Sequence, residues 1–180
     1  RGRDIAVLFG DGAGAAIIQT SDDDSEILST HLHCQGKDMK NLWMEGPGSA
    51  PGVWIHNKQA IAHGRLSPKM NGREVFRNAV KRFPEVIQEA MDENGLTMED
   101  IKLIIPHQAN NRISQAVAKR MGIGMDRLYS NIHKYGNTTA ASIPIALTEA
   151  HQEGKIQKGD YIILAAFGAG YTWASAAIRW

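Results

Sequence analysis

Apolar residues follow two patterns along this chain, short continuous runs and helical repeats. Apolar positions three and four residues apart over residues 73–93 predict a long amphipathic helix that stops at Gly95. The apolar run 101–105 predicts a buried strand, because such runs are typical of strands covered on both faces. Pro106 ends that strand.

The same alternation continues to the end of the chain. It predicts a helix that closes near Gly122, a short strand around 128–132 and a helix over 138–153. Two further runs, 161–166 and 173–178, predict a closing strand pair. Strands that alternate with helices and end in a hairpin predict an α/β protein with a mixed sheet packed by helices.

The first part of the chain is less regular. Apolar runs at 5–9 and 13–18, separated by Gly10-Asp11-Gly12, predict two paired strands joined by a tight turn. An acidic loop follows at 22–26. Breakers within 37–70, including Gly46-Pro47-Gly48, predict a long irregular excursion of the kind that often lines a site or an interface.

Composition narrows the function classes. The 180 residues suffice for one domain, and a net charge of +1 argues against a general nucleic-acid surface or an electrostatic membrane tether. No apolar run approaches the roughly 18 residues of a membrane span. Cys34 is the only cysteine, so neither an internal disulfide nor a cysteine-pair zinc site is expected, and a reducing cytoplasm is the simplest location.

Two polar residues follow predicted strands in equivalent positions. His107 comes after the buried strand 101–105, and Asn137 precedes the helix over 138–153. Each has an ordinary structural explanation, a buried histidine or a helix N-cap. Together they could donate hydrogen bonds to a developing oxyanion in one pocket.

Two glycine-containing segments also have ordinary explanations. Residues 167–170 form either a hairpin turn or a close backbone approach to substrate. Residues 10–14 are not a dinucleotide loop, because a strand pattern follows them where that motif requires a helix.

Four segments together resemble, in family order, the signatures of the β-ketoacyl-[acyl-carrier-protein] synthase III family. They are Phe9-Gly10-Asp11-Gly12-Ala13-Gly14-Ala15, Pro106-His107-Gln108-Ala109-Asn110, Tyr135-Gly136-Asn137-Thr138-Thr139-Ala140-Ala141-Ser142 and Phe167-Gly168-Ala169-Gly170-Tyr171-Thr172-Trp173. The resemblance spans nearly the whole chain. It implies a thiolase-like fold, with residues 1–180 as the carboxy-terminal catalytic half of a layered αβαβα body.

The resemblance also implies an activity. Family members move a short acyl group from coenzyme A to a cysteine and condense it with malonyl-acyl carrier protein, which initiates fatty-acid synthesis. His107 and Asn137 match two members of the Cys-His-Asn triad, and asparagine in place of a second histidine favours the initiating type. The nucleophilic cysteine belongs to the amino-terminal half, which is absent here. Cys34 lies in an unrelated context, so the isolated fragment is expected to be inactive.

The remaining site residues are implied in the same way. The acyl pocket and oxyanion hole would contain Phe167 and the backbone N–H of Ala169. The wall of the substrate tunnel would contain Met70, Gly72, Phe76, Ala109 and Asn110. A basic patch for acyl carrier protein would contain Arg77, Arg112, Lys119 and Arg120. Coenzyme A thioester enters as substrate, no metal or permanent cofactor is expected, and homodimerisation is the family habit.

Two alternatives stay open. One is a related condensing enzyme of secondary metabolism with other acyl substrates. The other is a non-catalytic partner subunit of the same fold, against which the retention of both His107 and Asn137 argues.

Overall fold

The computed structural model of the chain describes residues 3–48 and 54–180. The strands in these two segments are β1 (Glu26–Cys34), β2 (Leu42–Trp43), β3 (Lys69–Met70), β4 (Ile101–Pro106), β5 (Tyr161–Gly168) and β6 (Thr172–Arg179). The helices are α1 (Arg3–Ala6), α2 (Lys58–Ala62), α3 (Gly72–Glu93), α4 (Asn111–Met121), α5 (Ile132–Tyr135) and α6 (Ser142–Gln152). Short 3-10 turns lie at Gly36–Asn41, Met125–Arg127 and Thr139–Ala141.

The main sheet has the strand order β1-β6-β5-β4. β4 and β5 are parallel, while β5–β6 and β1–β6 are antiparallel. The predicted mixed sheet is therefore confirmed. Because β4 and β5 are parallel, their carboxyl ends lie side by side at one edge, which is where α/β sheets usually place their sites.

Helices cover both faces of this sheet. Ile104 of β4 packs in one core cluster with residues of α3 and α4, including Ile87 and Val117. Its neighbour Ile105 packs in the other cluster with Ala146 of α6. Successive strand residues point to opposite faces, so an apolar run such as that of β4 is what a strand buried on both faces requires.

The long helix α3 confirms the helical repeat. Its buried side chains are Ala79, Phe83, Val86, Ile87, Ala90 and Met91. The helix continues through Pro84 and ends at Glu93, two residues before Gly95, whose φ is 63°. Glycine adopts this left-handed conformation without a Cβ clash, which explains the stop.

Two predicted strand regions are wrong. Residues 5–9 and 13–18 do not pair; the short helix α1 precedes a segment without regular structure over residues 10–21. Ile17 and Ile18 are 92% and 79% exposed. An apolar run forms a strand only where a neighbouring strand accepts its hydrogen bonds, and no described strand lies beside this one.

The predicted strand around 128–132 is reduced to a single bridge. Leu128 pairs with Ile104, and α5 begins four residues later. Conversely, β1 was missed by the sequence pattern, because His31, His33 and other polar residues interrupt its apolar positions. Among the described residues, no helix is long and apolar enough to cross a membrane.

Candidate active site

His107 lies at the carboxyl edge of the sheet. It directly follows β4, and its backbone N–H donates to the carbonyl oxygen of Ala165 in β5 at 2.7 Å. Phe167 lies two residues further along β5. The parallel pairing thus brings the imidazole beside the carboxyl end of the neighbouring strand.

A serine hydroxyl at the start of α6 contacts the ring of His107. Its Nδ1 atom lies 2.6 Å from Oγ of Ser142 at the start of α6. Burial lowers the pKa of His107 below its ordinary value of 6.5, and a hydrogen bond with the Thr139 backbone opposes part of this shift. The imidazole is therefore neutral near pH 7.

The lowered pKa of His107 predicts a pH-dependent stability. The unfolded histidine binds a proton as the pH falls through 6.5, whereas the folded one does so only at lower pH. The free energy of unfolding should therefore fall as the pH drops below 6.5. In His107→Gln this contribution is lost, and denaturant titrations between about pH 8 and pH 5 should show a weaker decline. His133→Gln, at an exposed site, is the control. Equal slopes in wild type and His107→Gln would contradict a half-buried, neutral imidazole.

Asn137 is fixed by the segment that follows α1. Its backbone N–H donates to the Leu8 carbonyl at 2.9 Å, and its own carbonyl accepts from Gly10 N at 3.0 Å. The side-chain Oδ1 accepts from the backbone N–H of Thr139 at 2.9 Å. Its Nδ2 group has no hydrogen-bond partner in the described chain, and it is not among the fully buried polar atoms. The amide therefore presents its donor side.

Thr139 joins the two side chains. It contacts His107 and Asn137 through its backbone, and its φ is 53°. A β-branched residue rarely adopts this left-handed conformation, so the surrounding bonds hold it there at a cost. The structure thus brings His107 and Asn137 to one short turn. Sequence reasoning missed Thr139 and Ser142 as site residues, although both lie in the quoted segment around Asn137.

Gln108 links the loops that carry the pair. It is 2% exposed, and its Nε2 donates to the carbonyls of Pro106 at 2.8 Å and Tyr129 at 3.2 Å. Its Oε1 accepts from Asn131 N at 3.1 Å. One buried amide therefore ties the end of β4 to the chain that leads to Asn137.

The glycines near Asn137 permit a very close approach. A Cβ at Gly10 would lie 1.9 Å from the carbonyl oxygen of Tyr135. Those at Gly12 and Gly14 would lie 3.0 Å from Thr138 and 2.5 Å from Pro144. The segment therefore lies directly on the loop of Asn137 and the start of α6. The glycines permit this close packing; they do not form a hairpin turn.

Phe167 and Ala169 lie near the hairpin between β5 and β6. Phe167 is buried, with its ring 4.9 Å from that of Tyr171. Ala169 is exposed, and its N–H donates to no other described backbone group. Its φ lies outside the left-handed region, so alanine fits this turn without strain. The free N–H is compatible with the predicted oxyanion role.

The predicted tunnel residues form two groups. Met70, Gly72 and Phe76 lie on β3 and at the start of α3, where Phe76 is 39% exposed and so is not a core residue. Ala109 and Asn110 precede α4 and border a cleft of about 430 Å³. Neither Met70 nor Phe76 borders that cleft. Of the predicted tunnel residues, only Ala109 and Asn110 border this cleft.

Asn110 has a clear structural role as well. Its Oδ1 accepts from Arg112 N at 2.9 Å and caps α4. We expect Asn110→Ala to lower the free energy of unfolding by about 1 kcal/mol, or Tm by roughly 2–4 °C. Thermal melting of Asn110→Ser should show a smaller loss, since serine also caps helices. An alanine variant as stable as wild type would contradict the capping role.

The four basic residues predicted to meet a carrier protein are distributed over two helices. Arg77 lies on α3 and pairs with Glu74. Arg112, Lys119 and Arg120 lie on α4, are exposed, and form no salt bridge with any described residue. The three on α4 are therefore available to an acidic partner.

Cys34 lies away from the paired side chains. It is exposed at the end of β1, opposite Thr172 of β6. Because β6 and β5 separate β1 from β4, three strand spacings of about 4.8 Å lie between Cys34 and the strand before His107. The geometry offers no thiol to the site from this residue.

Solved structures with the same fold define the class of the protein. A crystal structure of 3-oxoacyl-[acyl-carrier-protein] synthase III from Aquifex aeolicus VF5 is 40% identical, with a TM-score of 0.86 over 99% of this chain and 52% of that one. The priming β-ketosynthase of the R1128 polyketide pathway is 32% identical, with a TM-score of 0.82 over 98% of this chain and 51% of the other. The chain is thus an α/β protein of the thiolase-like class.

Sequence comparisons give the family. The carboxy-terminal profile described as 3-Oxoacyl-[acyl-carrier-protein (ACP)] synthase III C terminal matches residues 91–180, and a second profile of that synthase matches residues 1–36. A β-ketoacyl-[acyl-carrier-protein] synthase III of Roseiflexus castenholzii is 44% identical over 99% of this chain and 53% of its own length. The chain belongs to the 3-oxoacyl-[acyl-carrier-protein] synthase III family, and it spans about half the length of the curated relatives it matches.

Proposed function

We propose that this chain supplies the histidine and asparagine of a condensing enzyme that initiates fatty-acid synthesis. The observation that carries the proposal is the arrangement of His107 and Asn137 around Thr139. Each side chain has one polar atom tied to the protein, Nδ1 to Ser142 and Oδ1 to Thr139, and a nitrogen on the other side of the ring or amide. Two fixed donors at the edge of a sheet are suited to an oxyanion.

The proposed reaction is a decarboxylative condensation. His107 and Asn137 hold the thioester carbonyl of malonyl-acyl carrier protein, loss of CO₂ leaves an enolate, and both N–H groups stabilise its oxygen. The carbanion attacks an acyl-cysteine thioester, a carbon–carbon bond forms, and the cysteine thiolate leaves. A neutral imidazole suits this role because a strong acid would protonate the carbanion.

The acyl group would occupy the site beside Phe167. The backbone N–H of Ala169 would then stabilise the tetrahedral oxyanion formed on the acyl-cysteine carbonyl. Met70, Gly72, Phe76, Ala109 and Asn110 are proposed to contact the pantetheine arm of coenzyme A or the carrier protein. These roles need a second wall, since Met70, Gly72 and Phe76 do not border the cleft beside Ala109 and Asn110.

We propose that the second wall and the nucleophilic cysteine come from an amino-terminal half. The chain matches about half of its relatives' length, and Cys34 lies apart from His107. Exposed apolar side chains such as Ile17, Ile18 and Leu32 are consistent with a covered surface. The chain alone should therefore be inactive. A homodimer in the cytoplasm remains the expected assembly.

The test joins this chain to the amino-terminal half. The complete enzyme is supplied with acetyl-coenzyme A and malonyl-acyl carrier protein, and the acetoacetyl-carrier product is followed by mass. Product that requires the joined halves supports the initiating function. Acylation from longer thioesters only would support a specialised condensing relative, and no acylation at all would support the non-catalytic subunit.

The basic residues on α4 give a separate prediction. Arg112→Glu should raise KM for the carrier protein several-fold at low salt, because reversal of an exposed charge mainly slows association. The difference from wild type should shrink as salt is added, while kcat stays the same. Lys102→Glu, a charge reversal on β4, is the control. An equal KM at low salt would remove Arg112 from the proposed docking surface.

A second candidate function is priming of polyketide synthesis. The R1128 priming β-ketosynthase shares the fold over 98% of this chain. The same assay with a panel of acyl-coenzyme A starters separates the two functions, since a polyketide-priming enzyme would prefer a starter other than acetyl.

A further inference from the structure

Ser142 lies beneath both loops of the site. It is 2% exposed at the first position of α6. Its Oγ lies 2.6 Å from Nδ1 of His107 and accepts from the backbone N–H of Gln108 at 3.2 Å. These two contacts are the hydrogen bonds of its hydroxyl within the described chain. The proposed reaction gives this hydroxyl no role of its own.

Only one position of the Ser142 hydroxyl proton is compatible with both of its hydrogen bonds, to Nδ1 of His107 and to the N–H of Gln108. Gln108 N–H can only donate, so Oγ accepts there and has its own proton to place. If the hydroxyl donates to Nδ1, both hydrogen bonds of Ser142 are satisfied and the ring proton lies on Nε2. If Nδ1–H donates instead, the hydroxyl proton has no acceptor, and a buried unpaired donor costs about 1–3 kcal/mol.

We infer that Ser142 is a positioning residue that fixes the Nε2–H tautomer of His107. Its hydroxyl donates to Nδ1, while Gln108 N–H orients the hydroxyl from the other side. The opposite tautomer would present a lone pair to the enolate oxygen and repel it. The catalytic consequence rests on the proposed function, but the tautomer itself does not.

Nitrogen-15 NMR of histidine-labelled chain tests the tautomer directly. His107 is identified by the signals that disappear in His107→Gln. Above the pKa of the ring we expect Nδ1 to resonate as an unprotonated nitrogen and Nε2 as a protonated one. In Ser142→Ala both signals should move toward averaged values. A proton on Nδ1 in wild type, or identical signals in Ser142→Ala, would overturn the inference.

Kinetics of the complete enzyme give a second, independent test. Ser142→Ala should lower kcat for condensation roughly tenfold, the lower end of the effect of removing a histidine's outer partner in metal sites. It should also move the acid limb of the pH–rate profile upward, because the donor that favours the neutral ring is gone. Ser142→Thr keeps the hydroxyl and should restore both, and Ser114→Ala, at a buried serine of α4, should change neither.

The outcomes separate this inference from the proposed function. An enzyme that makes no condensation product but shows the Nε2–H tautomer would refute the function and support the role of Ser142. A folded Ser142→Ala enzyme with an unchanged rate and an unchanged pH–rate profile would overturn that role. If Ser142→Thr does not fold, the wild-type NMR signals still decide.

Discussion

His107→Ala should lower the condensation rate of the complete enzyme by about 10²–10³-fold, or about 2.7–4 kcal/mol of transition-state stabilisation. The ring is fixed by Ser142 before substrate arrives, so its remaining nitrogen needs no reorganisation when charge develops. In the proposed mechanism, transfer of the acyl group to the cysteine does not use the enolate site and should continue. Mass measurement of acyl-enzyme and condensed product in the same reaction separates the two half-reactions.

Asn137→Ala should show the same separation. Because both donors act on one oxygen in the proposed mechanism, the double variant should lose much less than the product of the single effects. His63→Ala, which changes an exposed histidine at the end of α2, should retain full activity. A His107→Ala enzyme that condenses normally would remove the imidazole from the mechanism, and one that also fails to acylate would assign it to the first half-reaction.

The fold of the second half of the chain could be predicted because its signals are local. The apolar run of β4, the helical repeat of α3 and the hairpin of β5 and β6 each determine their own element. These elements bury their apolar side chains against one another, so pattern and structure agree. The strand expected at 128–132 was wrong because a single bridge to Ile104 leaves the following residues free to begin α5.

The structure of the first half of the chain depends on long-range contacts that a local sequence pattern does not reveal. The glycine-rich run was predicted as a turn between strands, but its conformation is set by contact with Tyr135 and Pro144, far along the chain. β1 was missed because its polar sequence lacks a strand pattern. Hydrogen bonding to β6 is what makes it a strand. Long-range contacts of this kind override local propensity.

The site was predictable in part for the same reason. His107 and Asn137 stood out through their motifs and their repeated position after predicted strands, although only the strand before His107 forms. Three other residues hold them in place: Ser142, Thr139 and Gln108. Their residue types are common in helices and loops, so the sequence alone does not single them out. Only the close approach of α6 to the end of β4 shows what their polar atoms bind.

Gly10→Ala should lower the condensation rate by about 100-fold while the main core stays folded. The new Cβ would lie 1.9 Å from the carbonyl oxygen of Tyr135, a backbone atom that a rotamer change cannot move aside. The segment must therefore lift from the loop, and the bonds between Gly10 and Asn137 and between Leu8 and Asn137 lengthen. A displacement of about 1 Å at a catalytic group costs on the order of 10²-fold.

The matched controls use other glycines of the chain. Gly36→Ala places its Cβ in open space and should leave the rate unchanged. Gly12→Ala meets Cβ and Cγ2 of Thr138 at 3.0 Å, a contact much less severe than the 1.9 Å at Gly10, so its loss should be intermediate. Steady-state condensation rates and thermal melts are compared across the three variants. The contacts of Gly10 are with Tyr135, Asn137 and Thr138 and not with α3 or the main sheet. A rate loss with an unchanged Tm would therefore show that this glycine positions Asn137. Full activity in Gly10→Ala would show instead that Asn137 is held without this segment.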